Sequence, residues 1–461
     1  MAAVLAACGG SGGGGSTTPA QSNLPSVPAN PQTTNTTTSA YGVLGTPTLR
    51  VAFVPAPGGV TPFLLENPLG KTITWGSAAA ISGVPPTLPF SFPIDACTVD
   101  SNDLKAVCAG FGLTQPGVTD PSKSSRIAVL DLKKFVDTLQ ISDIGVQEFD
   151  SGAGNVPIRF SGIQCITCGI AADVGKQRFV TAGAGGYRVF NYGSTTATAV
   201  YDIPVGENFA FLPKPLGASY IVAPEYEPTA TRTRKLRVVD VDVGRIYVWN
   251  KNTDSLADLG AEGRNFENQD VDAAAVDIKT GMIVLASEDS ADFMLIDFGK
   301  AVFDNAALTF SAPFAFAKPN PATAVARLTD VAISTEQSIL LSHGEKARAG
   351  ETGANVGVTQ LPTPSVPIGT LGVLDLNDAN FNRSPCGAGY VFTGKGDPHG
   401  LSLYAGIDNG QRGLVIDANN TCAAVIDLVG AVGAPRSAGD PNRLDTTVPA
   451  VRDMVKFVRL R

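Results

Sequence analysis

The feature that most constrains the fold is a degenerate repeat of short apolar runs, each closing on an acidic or amide residue. It occurs as Arg126-Ile127-Ala128-Val129-Leu130-Asp131, Tyr187-Arg188-Val189-Phe190-Asn191, Arg245-Ile246-Tyr247-Val248-Trp249-Asn250, Phe293-Met294-Leu295-Ile296-Asp297, Leu371-Gly372-Val373-Leu374-Asp375 and Gly413-Leu414-Val415-Ile416-Asp417. A similar run ends the chain, Met454-Val455-Lys456-Phe457-Val458-Arg459-Leu460. The terminal Asp or Asn suits a turn, because its side chain caps nearby backbone N–H groups. Upstream of most copies lie two further β-type runs, as in Gly169-Ile170-Ala171-Ala172-Asp173 leading to Phe179-Val180-Thr181-Ala182. A fourth run follows, as in Ala199-Val200-Tyr201-Asp202. Four short antiparallel strands recurring at roughly 40–60 residues predict a β-propeller.

In outline the repeat resembles the NHL/YVTN-type bacterial propellers, whose units carry a small-apolar inner strand and a strand ending in Asp. The resemblance runs from about Ile94 to Arg461. Six internal copies plus the terminal run predict an all-β chain of seven four-stranded blades, with six or eight blades as the alternatives and a pair of β-sandwiches as the rival fold. Propellers often close by pairing both chain ends in one blade. Leu49-Arg50-Val51-Ala52-Phe53-Val54 is the expected partner of residues 454–460. Two polar stretches, 344–367 and 226–235, read as inserted loops, and helix is expected only in short pieces near 133–139 and 256–263.

Composition narrows the function classes. Charged residues are 16% of the chain, against a typical ~25%, while Gly (50) and Pro (32) are abundant. A net charge of −8 argues against a nucleic-acid partner, which needs a basic footprint. After the first residues no run reaches the ~18 apolar residues of a spanning helix.

The start of the sequence carries the address. Leu5-Ala6-Ala7-Cys8 resembles the lipobox of bacterial lipoproteins, in which a signal peptidase cuts before the cysteine and the cysteine is then acylated. The resemblance implies lipidation at Cys8 and attachment to a membrane through that lipid. Gly9 in place of an Asp retention signal implies the outer membrane, periplasmic side, of a Gram-negative host. Neither Lys nor Arg precedes Cys8, so the signal is expected to begin upstream of this numbering. Residues 1–7 then form the end of a signal peptide. Residues 8–40 form a disordered tether of Gly, Ser, Thr and Pro, about 30 Å in mean span. Residues 41–461 form the propeller.

With Cys8 assigned to lipid, six cysteines remain, an even number in an exported chain, which suggests disulfides. Proximity pairs Cys97 with Cys108, Cys165 with Cys168 and Cys386 with Cys422, out of 15 connectivities that six cysteines allow.

In propellers the residues just before each inner strand ring one channel mouth. Aligning the inner strands places Cys168, Asp272, Thr329 and His399 at equivalent positions, with Asp95 and Glu207 as looser fits. Asp95, Glu207 and Asp272 together would suit a hard cation such as Ca²⁺, which takes oxygen ligands; as ordinary turn residues they would only be solvated. Two histidines, His343 and His399, exclude a three-histidine zinc site. Cys165-Ile166-Thr167-Cys168 has redox spacing but precedes a strand, where a thioredoxin-like motif wants a βαβ unit. Gly183-Ala184-Gly185-Gly186 opens no helix, which argues against a phosphate cradle. There is no Gly-x-Ser-x-Gly elbow.

The leading expectation is a lipid-anchored envelope propeller that binds a protein or small-molecule ligand at one face. The rival is a Ca²⁺-type hydrolase or lactonase at the channel mouth. A quinone-cofactor dehydrogenase is third, since such propellers usually carry more Trp than the two found here.

Overall fold

A computed structural model describes residues 42–80, 83–110, 126–152, 158–160, 163–165, 167–183, 185–203, 210–213, 219–224, 236–249, 271–287, 293–317, 328–344, 354–362, 369–394 and 400–460. Residues 1–41, which include the expected leader and tether at 1–40, lie outside the description, as do 226–235 and 256–263. Apart from a separate two-stranded pair, Ile158–Phe160 with Ile163–Cys165, the described chain forms seven blades of four antiparallel strands in sequence order, the fourth blade extended by two further strands. Their innermost strands are Gly42–Gly45, Ala96–Asp100, Thr167–Asp173, Ala210–Pro213, Val271–Asp277, Leu328–Ser334 and Leu401–Ala405. These touch in a closed circuit, from blade 1 round to blade 7 and back to blade 1. The fold is a seven-bladed β-propeller.

Each blade is covered on both faces, and this explains the continuous apolar runs in the sequence. In the strand Ile339–Gly344 of blade 6, Ile339 and Leu341 pack with blade 7, while Leu340 between them packs with blade 5. One apolar cluster fills each of the seven seams between neighbouring blades. The seam of blades 4 and 5 is the most aromatic, with Trp249, Phe298 and Phe310 meeting edge to face.

Three other strands that end in Asp share one recurrent turn. The Asp100 carboxylate accepts the N–H groups of Asn102 (3.0 Å) and Asp103 (3.1 Å), and Asp240 accepts those of Asp242 (3.1 Å) and Val243 (3.2 Å). Asp304 caps Ala306 (2.8 Å) and Ala307 (2.9 Å) in the same way. The fourth residue after the Asp then turns through positive φ: Gly244 at 70° and Gly281 at 75°, but also Leu104 at 51° and Leu308 at 53°. A leucine there costs about 1–2 kcal/mol in backbone strain, which the carboxylate cap and the flanking strand pairs offset.

These turns also fasten neighbouring blades. Asp100 takes the Gly175 N–H of blade 3 at 3.0 Å, and Asp103 takes Gln177 N–H at 3.0 Å. Asp173 of blade 3 accepts the Ser219 hydroxyl of blade 4 at 2.9 Å, and Arg178 reaches Asp242 at 2.6 Å.

Outer edges are partly sealed by chain borrowed from the next blade. A hairpin from blade 5, Val302–Asp304 with Thr309–Ser311, adds to the outer strand Arg245–Trp249 of blade 4 by parallel pairing at Val248↔Thr309 and Trp249↔Phe310. A connection within blade 7 does the same for blade 6, where Val373 N–H meets Asn442 O at 2.9 Å and Leu444 N–H meets Val373 O at 3.1 Å. Covering an edge removes a template for unwanted strand addition.

Three sequence expectations are corrected. The chain ends do not share a blade. Residues 50–56 pair with Gly42–Gly45 and Gly59–Glu66 inside blade 1, and Val455–Arg459 pairs with Cys422–Asp427 inside blade 7. Residues 344–367 are not only a loop, for they contain Asn355–Gln360, the third strand of blade 6. The six internal repeat copies do not all hold one place in the blade. Arg245–Trp249 and Gly369–Asp375 are fourth strands, and Gln411–Ile416 is a second strand. The short helix expected near 133–139 is present as Phe135–Thr138.

The seam between blades 7 and 1 is therefore held without a shared strand. Arg50, fully buried, donates from Nε to Ala405 O, from Nη1 to Thr46 O and to Leu49 O (2.7 Å), and from Nη2 to Gly406 O (2.7 Å). Glu66 accepts the Ile407 N–H at 2.8 Å, and Asn420 donates to Pro55 O at 3.1 Å. Beneath these lie Val43, Ala52 and Val54 against Tyr404, Leu414 and Leu460.

Two measurements check this account. Arg50→Leu, which strands up to four carbonyl acceptors, lowers unfolding stability by about 3–5 kcal/mol in urea titrations; a loss under ~1 kcal/mol contradicts the fastening role. The second concerns Asp100, whose carboxyl is lifted to about 7, chiefly by burial and further by the Asp103 charge. The folded chain thus holds a proton here between about pH 4 and pH 7 that the unfolded chain has lost. Asp100 therefore contributes a fall in stability as pH rises through that window, up to about 1.4 kcal/mol per pH unit. The slope for Asp100→Asn is shallower by that amount, and identical slopes contradict the assignment.

Candidate functional site

Each innermost strand begins at one end of the ring, and four of the six sequence-derived candidates, Asp95, Cys168, Asp272 and Thr329, lie there by backbone position. In blade 3 the pairing register slips between Thr167 and Gly169, at Cys168. In blade 5 it slips between Val271 and Ala273, at Asp272, and in blade 6 between Leu328 and Asp330, at Thr329. Three residues aligned from sequence alone therefore occupy the same β-bulge in three blades. A bulge leaves its extra residue out of the ladder and re-aims it, which is why bulges recur at barrel rims and beside active sites. The side chains of these three lie outside the described residues. Asp95, half-buried, directly precedes the inner strand of blade 2 and donates its N–H to Ala109 O at 2.9 Å. Glu207 and His399 lie outside the described residues.

Sequence reasoning passed over Asp330, next to Thr329. It is buried, and its Oδ2 accepts the N–H groups of Gly400 (2.9 Å) and Leu401 (3.2 Å), so it seats the inner strand of blade 7 beside position 399. His343, paired opposite it across the two strands, is fully buried, with Nδ1 at 4.0 Å from the same carboxylate oxygen. The signal was present: an Asp two residues into an otherwise apolar strand has to find donors.

The ring is closed by packing in its middle, at least along one arc. Val43, Ala96, Ile170 and Tyr404, on the inner strands of blades 1, 2, 3 and 7, belong to one buried apolar cluster. Gly42 is required where blades 1 and 2 meet: a Cβ there would stand 2.4 Å from Val99 Cγ2 and 2.5 Å from Val99 N. This arc of the wall is therefore occupied by the protein's own apolar packing.

Among the described residues two disulfides are formed, and both are among the pairs expected. Cys97–Cys108 staples the first two strands of blade 2 across directly opposed residues, with Cα atoms 4.1 Å apart. Cys386–Cys422 ties the connection between blades 6 and 7 to the third strand of blade 7, at 5.6 Å. The Cys165 and Cys168 side chains lie outside the description. Gly183 and Gly186 pair across a tight hairpin with Gly185 and Gly186 at positive φ, so this glycine run turns two strands and opens no helix. Among the described residues no three His, Cys, Asp or Glu side chains cluster as a metal-ligand group, and no step is assigned to a cation.

No protein-family model matches the chain, and the comparison with curated proteins gives no match. Among solved structures the chain is similar to Hsv2 of Kluyvelomyces marxianus (10% identity, 84% of this chain and 87% of that one, TM-score 0.40). It is also similar to a complex of KlAtg21 with the coiled coil of AgAtg16 (10%, 83% and 95%, TM-score 0.44). A third is the β-propeller domain of Cps50 (Swd1) from Myceliophteria thermophila (9%, 68% and 80%, TM-score 0.40). Likeness at this level transfers no residue and no activity.

Replacing Asp330 by Ala leaves two buried N–H groups at the blade 7 inner strand without their acceptor. The expected loss is about 2–4 kcal/mol in denaturant unfolding, with faster amide exchange at Gly400 and Leu401. Unchanged exchange at those two amides would count against the seating role.

Proposed function

We propose that the chain is a lipid-anchored propeller of the cell envelope that works as a binding or scaffold module, taking a protein or small-molecule ligand at the mouth where the inner strands begin. The observation that carries the reading is the shared bulge: one backbone geometry in blades 3, 5 and 6 offers three different side chains, Cys168, Asp272 and Thr329. A ring of equivalent positions with unlike chemistry suits recognition of an asymmetric ligand. The anchor rests on Leu5-Ala6-Ala7-Cys8 and on the uncharged Gly/Ser/Thr-rich stretch behind it. An anchored, exported domain also agrees with the two disulfides, which persist in oxidising compartments.

The test uses the full chain in its host. With a photo-crosslinking residue at position 272 or 329, a heavier adduct is expected. The same residue at position 103, in a turn at the opposite end of the ring, should give none. Adducts from position 103 alone would place binding at the other end and refute the assigned mouth. In parallel, Cys8→Ser should move the protein from the membrane to the soluble periplasmic fraction; continued membrane association refutes the anchor.

A further inference from the structure

The hairpin turn that receives Arg50 contains the only Asn-Gly pair in the chain, Asn409-Gly410. Asn409 is exposed and held at φ 65°. Its N–H donates to Gly406 O at 2.9 Å, and Gly406 N–H donates to Gly410 O at 2.6 Å. The Gly410 N–H points at a carboxylate, Asp408 Oδ1, at 2.9 Å. Asp408 is itself fixed by Arg412, Nη2 to Oδ2 at 2.6 Å, and Arg412 also reaches Asp427 at 3.1 Å. On the other side the turn is gripped by blade 1, through Arg50 to Gly406 O at 2.7 Å and Ile407 N–H to Glu66 at 2.8 Å.

We propose that Asn409-Gly410 is a self-modification site in the clasp between blades 7 and 1, with Asp408 as the base that takes the Gly410 amide proton. The Gly410 nitrogen attacks Cγ of Asn409, a new N–C bond closes a five-membered succinimide, and the Cγ–Nδ2 bond breaks. Ammonia leaves, carrying the proton that Asp408 held. Water then opens the ring at either carbonyl, giving aspartate or isoaspartate at 409. Glycine at 410 leaves its nitrogen unhindered, and solvent reaches the exposed Asn409 amide. Arg412 and the Gly410 N–H hold the Asp408 carboxyl below its usual range against a desolvation that pushes the other way, so the base is ionised at neutral pH. Either product sets a third carboxylate beside Asp408 and Glu66. The isoaspartyl product also adds a methylene to the backbone between Gly406 and the strand Gln411–Ile416. Both changes fall on the turn that Arg50 and Glu66 grip, so the modification loosens the ring where no strand is shared.

The experiment is prolonged incubation of the purified full chain at neutral pH, native and in urea, with peptide mass mapping and an isoaspartate assay. The native chain should gain the Asn-to-Asp mass change at 409 severalfold faster than the urea-unfolded chain. Asp408→Asn should bring the native rate down to the unfolded one. As the modified fraction rises, the thermal midpoint should fall, and amide exchange should quicken in residues 50–56 and 401–405. Asn409→Gln, which disfavours the five-membered ring, should hold its thermal midpoint through the same incubation. A native rate at or below the unfolded rate overturns the proposal. An unchanged rate in a folded Asp408→Asn chain removes Asp408 as the base.

Discussion

Six of the seven seams are crossed by the chain itself, because the last strand of one blade runs on into the first strand of the next. The seventh, between blades 7 and 1, has only side chains and apolar contact to hold it. Arg50 is its centre. A planar guanidinium with five donors suits several carbonyls at once, which a lysine could not match. Burial presses Arg50 toward losing its proton, and Glu66, Tyr404 and Asp408 oppose that pressure. Burial in turn pushes the Tyr404 hydroxyl up, with Glu66 adding to it. The charge at the seam is thus a shared property of groups from both blades, and the circular contact of all seven inner strands depends on it.

The fold class was legible in the sequence because a sheet buried on both faces leaves a plain trace. Its strands read as unbroken apolar runs, and its turns need residues that cap. Arg126–Asp131 shows both traits, Asp131 accepting the Lys133 N–H, and Phe293–Asp297 shows the first; both are third strands in their blades. The position of a run within its blade was less legible, because any strand followed by this capped turn ends in Asp or Asn. Asp240 ends the third strand of blade 4, where Leu236–Asp240 went unrecognised, and Asp277 ends the innermost strand of blade 5. Blade 1 was hidden for the opposite reason. Its fourth strand is only Leu88–Pro89, and a long connection interrupts the expected spacing. Seven runs and seven blades agree in number because blade 7 carries two of the runs, Gly413–Asp417 and the terminal one, while blade 1 carries none.

Closure by shared strands was expected from habit in propellers, and only Arg50 argued otherwise. An arginine opening a strand of Val, Ala and Phe has to be buried, and a buried guanidinium needs acceptors. The candidate ring was legible as alignment and not as chemistry. Equivalent backbone positions follow from repeat spacing, so Cys168, Asp272 and Thr329 fell on the same bulge. What those side chains contact depends on connections between blades that differ in length and carry no repeat. Asp330 shows the limit: it lies one residue from the predicted ring, yet its partners, Gly400 and Leu401, come from 70 residues away.

The absence of a shared blade has an evolutionary corollary. When a propeller closes by weaving its two ends into one sheet, duplication or loss of a unit must respect the break point inside that sheet. Here the four strands of every blade come from one stretch of the chain. A recombination event that adds or drops a whole segment keeps the four strands of every other blade together, and selection then has to re-fit the new seam and any edge, such as those of blades 4 and 6, that borrows pairing from the following blade.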